Sequence, residues 1–226
     1  HPLFDDHHKA YPMGRDGKYL ALCGGGYYLM LDVERLSMVW KRQLDVDSNT
    51  PVRMELNGDY LAVVKKDYDV KALYMLDSRT GAVLWHTDPK KPKIPGPMYS
   101  MTIRDGKLYG LKKHPGQAFY FAGVDCKTGA NLFAPHEAAG YNAIPLVRLH
   151  DRLYGNAMVA EVKDRQDFEL RAFGITTGKP LHTVKIEGVG NLGEHGRASA
   201  TAQNGCLVLH GKNHVKIAAP KRGGRR

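Results

Sequence analysis

A repeat with a period of about 45 residues is the feature of this sequence that most constrains its fold. A turn followed by a strand occurs five times, as DGKYLAL, NGDYLAV, DGKLYGL, HDRLYGN and NGCLVLH, starting at residues 16, 57, 105, 150 and 204. A second segment follows each of the first four copies, as LDVERLSMVW, LDSRTGAVLW, VDCKTGANLF and FGITTGKPLH, starting at residues 31, 76, 124 and 173. Because two separate segments keep the same spacing, the chain is predicted to be built from units of one kind.

The local pattern within each unit predicts short β-strands. VRMEL (52–56) alternates apolar and polar residues, and YLAVV (60–64) is apolar and rich in aromatic or β-branched residues. Asn57-Gly58 and Asp105-Gly106 are typical of hairpin turns, and no segment shows a sustained helical period. A single four-stranded antiparallel sheet leaves its apolar faces bare, so the units must pack face to face around an axis. The predicted fold class is therefore all-β, a β-propeller of four-stranded antiparallel blades.

The spacing predicts about four complete blades and a partial one. The blades are predicted at 11–44, 50–88, 98–136 and 143–186, with the partial blade at 196–220 and a basic, disordered tail at 221–226. The last unit lacks the second segment of the repeat, and so we expect its fourth strand to be missing.

The second segment resembles the blade signature of the quinoprotein-like, or pyrroloquinoline-quinone-like, β-propeller family. That signature is an Asp, then Thr-Gly, then a Trp four residues after the Gly. LDSRTGAVLW (76–85) has all of these residues, and VDCKTGANLF (124–133) has Phe for Trp. LDVERLSMVW (31–40) has Leu-Ser for Thr-Gly, and FGITTGKPLH (173–182) lacks the acid and the aromatic residue. The resemblance covers nearly the whole chain.

The resemblance implies that this segment docks one blade on the next. A large aromatic ring can bury much area against neighbouring backbone, and turn residues supply local hydrogen bonds. WD40 propellers are the rival class, but no pairing of Gly-His with Trp-Asp is found. We therefore predict a structural role in blade docking for Asp32, Trp40, Asp77, Thr80, Gly81, Trp85, Asp125, Thr128, Gly129, Phe133, Thr177 and Gly178.

No catalytic set is recognisable in this chain. A working quinone enzyme of the family needs a tryptophan floor beneath the cofactor, a metal-binding set of Glu, Asn and Asp, and a catalytic Asp. Both tryptophans, Trp40 and Trp85, occupy docking positions, and no metal set can be placed by spacing. The sequence contains no GxSxG, HExxH or Walker-type motif. We predict no catalytic residue and expect no cofactor in this chain.

Spacing and charge limit the metal, membrane and nucleic-acid hypotheses. The three cysteines form no CxxC motif, and the histidines of DDHH (5–8) alternate sides of an extended segment, which disfavours joint ligation of a metal. No apolar run approaches the roughly 18 residues of a membrane span. The net charge of +10 favours acidic partners, but the basic tail (221–226) has no aromatic residue. We expect no metal site, no membrane span and no specific nucleic-acid binding.

Propeller geometry predicts where a ligand site would lie. The entry to each innermost strand lies at one mouth of the central channel, where side chains from several blades converge. The candidate ligand-binding residues at this mouth are Arg53, Tyr99, Asn142, His195 and Arg197. The alternative interpretation is that these are ordinary loop residues.

The leading hypothesis is a non-catalytic quinoprotein-like propeller segment that acts as a scaffold for protein or ligand interaction. The alternative is a fragment of a quinone-dependent dehydrogenase whose site, with pyrroloquinoline quinone and calcium, is completed by missing blades or another chain. The resemblance implies a periplasmic or extracellular location.

We also expect this chain not to close a propeller alone. The resemblance implies a ring of about seven or eight blades, whereas 226 residues at about 45 each supply about five. Residues 1–10 match a missing buried strand poorly, because Leu3-Phe4 is followed by Asp-Asp-His-His. We therefore expect either further sequence before His1 or a partner chain that completes the ring.

Overall fold

The computed structural model describes residues 11–24, 27–44, 52–65, 72–87, 98–113, 119–134, 136–137, 147–149, 152–162, 165–186, 199–203, 206–210 and 215–218. Every regular element within these ranges is a β-strand. Among the same residues, no helix has the length and apolar character needed to cross a membrane. The all-β class predicted from the repeat is confirmed.

The described strands form five sheets, each made of strands that follow one another in the chain. The first sheet contains β1 (Tyr11–Asp16), β2 (Tyr19–Gly24), β3 (Tyr27–Asp32) and β4 (Ser37–Gln43), and the second contains β5 (Val52–Asn57), β6 (Tyr60–Lys65), β7 (Leu73–Asp77) and β8 (Val83–His86). The third contains β9 (Met98–Arg104), β10 (Lys107–Lys113), β11 (Phe119–Asp125) and β12 (His136–Glu137). The fourth contains β13 (Val147–Leu149), β14 (Arg152–Val162), β15 (Arg165–Gly174) and β16 (Pro180–Ile186), and the last contains β17 (Ser199–Gln203), β18 (Cys206–His210) and β19 (Val215–Ala218). Four four-stranded sheets and a three-stranded one confirm the prediction of four complete blades and a partial one.

The third sheet differs from the others in its outer strand. Its strand β12 has two residues and begins after Phe133, whereas β4 and β8 contain Trp40 and Trp85. The last strand of this sheet ends at Glu137. The sequence offers a reason, because Pro135 lacks the N–H group that a strand residue donates to its neighbour.

The chain divides into two compact units. Unit 1 comprises His1–Met98, Ile103–Leu108 and Val124–Asn131. Unit 2 comprises Tyr99–Thr102, Tyr109–Gly123 and Leu132–Arg226. The first two sheets thus belong wholly to unit 1, and the fourth and fifth sheets belong wholly to unit 2.

The core of unit 1 lies between the first and second sheets. Met30 and Trp40 of the first sheet share one buried cluster with Leu61 and Val63 of the second. The first strands of the two sheets approach closely, since a Cβ atom added to Gly14 in β1 would lie 3.3 Å from the Cβ atom of Leu56 in β5. This face-to-face packing of consecutive sheets buries the apolar faces that a lone sheet would leave bare.

The core of unit 2 is a cluster of aromatic rings. Phe121 lies at its centre and stacks on Phe173 with a centroid separation of 4.7 Å. Phe121 also stacks on Phe133 at 5.5 Å, and on the fully buried Tyr109 at 6.2 Å. Stacked ring pairs of this kind add to the stability gained from burial.

Candidate functional site

The repeated Asp-to-Gly segment folds into the same turn in successive sheets. The Asp77 carboxylate accepts hydrogen bonds from the backbone N–H groups of Arg79 and Thr80 and from the Thr80 hydroxyl, at 2.8 to 3.0 Å. The backbone N–H of Gly81 donates to the carbonyl of Asp77, and φ of Gly81 is +68°. Asp125, Thr128 and Gly129 repeat this arrangement, and Thr177 and Gly178 keep its later part. The polar groups of the motif are therefore occupied within the turn.

These hydrogen bonds also set the charge state of the turn aspartates. Burial alone would raise the pKa of Asp77, but hydrogen bonds from Thr80 and Arg79 bring the pKa below its ordinary value. The pKa of Asp125 is lowered in the same way, against the effect of burial, by Thr128 and Lys127. Both carboxylates are thus ionised acceptors at neutral pH and not proton donors.

The aromatic residue at the end of the motif contacts the turn of the next sheet. The indole N–H of Trp40 donates to the carbonyl oxygen of Ser78 at 2.7 Å, and a Cβ atom on Gly81 would lie 2.8 Å from the indole ring. The guanidinium of Arg42 also donates to the Gly81 carbonyl. Trp85 makes the corresponding bond to the carbonyl of Cys126 at 2.8 Å. We call this contact of an aromatic ring with the following turn the joint.

Phe133 forms the joint of unit 2 without a hydrogen bond of its own ring, because a phenyl group has no donor. A Cβ atom on Gly178 would lie 2.2 Å from this ring, and one on Gly123 would lie 2.9 Å from it. The ring is therefore held between two glycines. Met30 and Met75 stand at the position of Gly123 in the first two sheets and pair with Trp40 and Trp85.

A β-bulge recurs beside the joint, and sequence reasoning missed it. Val39, Leu84 and Leu181 are each the extra residue between two paired positions of the outer strand. Each directly precedes the last residue of the motif, which is Trp40, Trp85 or His182. Because a bulge rotates the residues that follow it, it lets the aromatic ring face the next sheet although the preceding pair faces the other side.

The turn of the first sheet departs from the others at the glycine position. The sequence comparison aligned Leu36-Ser37 with Thr-Gly, but the structure corrects this by one residue and places Leu36, four residues after Asp32, at the glycine position. Its φ is +48°, and its side chain is 91% exposed. Asp32 still accepts bonds from the N–H groups of Glu34 and Arg35, and it pairs with Lys18 at 3.0 Å. The backbone bond from Arg35 is the main reason why the pKa of Asp32 is lowered.

One face of the first sheet is less buried than its counterpart in the second. Leu20 pairs with Leu31, and Leu31 pairs with Met38, so these three side chains lie on one face together with Leu22. The three leucines are half-buried and Met38 is 50% exposed, although Leu29, beside them on the same face, is buried. We call Leu20, Leu22, Leu31 and Met38 the open face. The corresponding face of the second sheet, with Leu61, Val63 and Leu76, is fully buried in the core.

The charged side chains on this face of the first sheet are cations. Arg15 pairs with Leu20 and Lys41 pairs with Leu29, which places both on the side of the open face. The Lys41 ammonium lies 4.0 Å from the centroid of the Tyr27 ring, a cation–π contact. Both Arg15 and Lys41 are exposed. The adjoining turn contributes one charge of each sign, from Glu34 and Arg35.

The ligand-binding residues predicted at the channel mouth lie mainly outside the described side chains. Arg53 is in β5, half-buried and paired with Val64. The backbone of Tyr99 lies in β9. Asn142, His195 and Arg197 lie outside the described residues, so that their convergence stays a prediction. Within the described part of the chain, no three His, Cys, Asp or Glu side chains are grouped closely enough to hold a metal ion.

The described cysteines are free thiols, of which two are buried. Burial raises the pKa of the Cys126 thiol to about 12, and it raises the pKa of the Cys23 thiol as well. A thiol in this state is a poor nucleophile at neutral pH, because the thiolate is the reactive form. These two residues therefore belong to the core and not to a reactive site.

Comparison with solved structures places the architecture among β-propellers. A chain of the structure titled "Complex of KlAtg21 with coiled-coil of AgAtg16" has a TM-score of 0.66 and 10% identity, covering 92% of this chain and 66% of that one. The Dos1 propeller has a TM-score of 0.59 and 13% identity, covering 88% of this chain and 52% of that one. This chain therefore spans about half to two thirds of those chains, and at these identities the likeness concerns the fold alone. No protein-family model and no curated protein matches the sequence significantly.

Proposed function

We propose that this chain is a non-catalytic propeller segment that acts as a protein- or ligand-interaction scaffold, as part of a larger propeller or complex. One observation carries the proposal. Four of the large apolar side chains that are exposed among the described residues, Tyr27, Leu36, Met38 and Val39, belong to the first sheet and its turn. Exposed apolar surface that is concentrated on one sheet is typical of a protein-binding surface. The polar groups of the repeated motif, by contrast, are already engaged in turns and joints.

The comparisons support this proposal at the level of architecture. One similar structure is, by its title, a complex with the coiled coil of another protein. Partner segments commonly bind a protein by packing apolar side chains on an exposed apolar surface. A partner that packs on the exposed apolar side chains of the first sheet would follow the same principle.

The quinoprotein-like signature extends the proposal to family and location. LDSRTGAVLW (76–85) supports a place in the quinoprotein-like family, and with it a periplasmic or extracellular location. The same resemblance keeps the dehydrogenase fragment as the competing hypothesis, with pyrroloquinoline quinone and calcium as its cofactors. The scaffold hypothesis requires neither.

Selection from a displayed peptide library tests the scaffold hypothesis. The immobilised full chain is the target, and heat-denatured chain removes peptides that bind unfolded protein. We expect survivors that bind the folded chain with micromolar or tighter affinity. A library that yields no binder of the folded chain after repeated rounds would contradict the scaffold hypothesis.

Reconstitution tests the competing enzyme hypothesis on the same material. The chain is incubated with pyrroloquinoline quinone and calcium, and bound quinone is followed by its absorbance after gel filtration. We expect no stoichiometric quinone and no dye-linked oxidation of alcohols or sugars. Stoichiometric quinone together with oxidation activity would replace the scaffold hypothesis by the dehydrogenase.

A further inference from the structure

We infer that the open face of the first sheet binds an amphipathic segment of another protein that carries apolar and acidic side chains, rather than a further blade of the same repeat. The inference rests on the proposed scaffold function and deepens it by naming the surface and the chemistry of the partner. Three observations carry it: the residue at the glycine position, the apolar side chains that remain accessible, and the charges around them.

Leu36 excludes a joint of the kind seen elsewhere in the chain. Trp40 packs so closely on Gly81 that an added Cβ atom would lie 2.8 Å from the ring, and Phe133 packs even closer on Gly178. An aromatic residue of a preceding blade would meet the corresponding position of the first turn, which holds the branched side chain of Leu36. Real Cβ contacts do not reach such distances, so that a ring cannot lie there as it lies on Gly81.

The open face nevertheless offers apolar surface that a partner can cover. Met38 is half-exposed, and Leu20, Leu22 and Leu31 are only partly buried, while Leu61, Val63 and Leu76, the counterparts of the three leucines in the second sheet, are fully buried in the core. Leu36 stands beside them on the adjoining turn and is almost wholly exposed. Covering these side chains removes apolar area from water, which is the main source of affinity in protein association.

The charges of this face select an acidic partner. Arg15 and Lys41 are both exposed, and they are the charged residues that strand pairing places on the face. A second copy of the chain packed through the same face about a two-fold axis would bring like charges together, which is unfavourable. A segment with carboxylates beside its apolar residues would pair with both cations.

The displayed library provides the probe for this inference. We expect survivors enriched in Asp or Glu next to Leu, Ile or Phe. Met38→Asp should weaken their binding about tenfold or more, because it places a carboxylate in the centre of the apolar contact and repels the acidic residues of the partner. Arg15→Glu together with Lys41→Glu should weaken binding and reduce its salt dependence. Leu181→Asp is the matched control, since Leu181 is 49% exposed on the fourth sheet, and it should change nothing.

The outcomes separate this inference from the scaffold hypothesis. Survivors that bind the Met38→Asp and charge-reversed chains as well as the wild type would overturn the inference and leave the scaffold hypothesis standing. Concentration-dependent dimerisation of the wild-type chain that Met38→Asp changes would also overturn it, because a second copy would then be the occupant. Thermal melting checks that each variant folds. The double charge reversal alters only exposed side chains, so it serves as the test if Met38→Asp unfolds.

Discussion

The first and second sheets share one layout and differ in what covers one of their faces. Leu61 and Val63 of the second sheet are fully buried, and the joint from Trp40 closes over the turn beside them. Their counterparts in the first sheet, Leu20 and Leu22, are half-buried. The strands themselves are nearly the same sequence, YLAL and YLAV. The difference teaches that the burial of a strand in this fold depends on the sheet that packs against it and not on the sequence of the strand.

The largest effect is expected from substitutions of Trp40, which break the joint between the first and second sheets. Trp40 is 9% exposed and donates a buried hydrogen bond, so Trp40→Ala should lower the free energy of unfolding by about 3–5 kcal/mol. Trp40→Phe keeps most of the ring but removes the donor, and it should cost about 1–3 kcal/mol because the Ser78 carbonyl loses its partner. Urea denaturation measures both. Trp85→Ala should cost less than Trp40→Ala because Trp85 is half-buried, and a reversed order would show that the joint of Trp40 is not the tighter one.

A second effect acts from the other side of the same joint. Gly81→Ala combines a side chain at positive φ with a clash against the Trp40 ring, and we expect a cost of about 2–4 kcal/mol. Gly58→Ala is the control, because Gly58 also has positive φ, +57°, but has nothing within 4 Å of the added Cβ atom. That change should cost only about 1–2 kcal/mol. Equal urea midpoints for the two variants would show that the ring does not rest on Gly81.

Acid should weaken the turns of both sheets. The pKa values of Asp32 and Asp77 are lower in the folded chain than the ordinary value of 3.8, so their contribution to stability is present above that value. As the pH falls through the lowered pKa values, protonation removes the contribution. We expect the urea concentration at the midpoint of unfolding to decrease as the pH drops below about 4. In Asp77→Asn this decrease should be shallower. A midpoint that is independent of pH between 3 and 6 would contradict it.

The smallest effect is expected from a substitution that makes the turn of the first sheet resemble that of the second. Leu36→Gly removes a branched side chain from positive φ, which favours folding, but it also frees the unfolded chain, which opposes folding. The net change should lie between zero and a gain of about 1 kcal/mol. A loss of more than that in urea denaturation would mean that the Leu36 side chain is held by contacts, contrary to its exposure.

Much of this architecture was predictable because local signals and the repeat agree. The Gly residues of the turns and the alternation in VRMEL (52–56) lead directly to hairpins, and their periodic recurrence leads to stacked sheets. The acceptors of the joints were not predictable, since Ser78 and Cys126 use backbone carbonyls that any residue would supply. The bulges at Val39 and Leu84 leave no mark in the composition, because an exposed apolar residue fits an ordinary strand equally well.

The open face could have been noticed at one position only. Leu36 stands where the other turns have glycine, and that departure is visible in the sequence. The exposure of Met38 was not visible, because its counterpart Val83 is equally apolar and is half-buried. The prediction that residues such as Arg53 converge at the channel mouth required the relative placement of the blades, which a linear pattern does not encode.

The joints of unit 1 also determine the order in which the aromatic rings are covered during synthesis. Each ring donates forward, from Trp40 to Ser78 and from Trp85 to Cys126, so the acceptor always leaves the ribosome about 40 residues after the donor. At roughly 5–20 residues per second, a newly made sheet would wait about 2–8 s with its indole uncovered. During translation, the most recently made sheet is therefore the one with an uncovered indole ring. Each new turn that emerges covers the ring of the previous sheet, and the ring of the new sheet is then the exposed one.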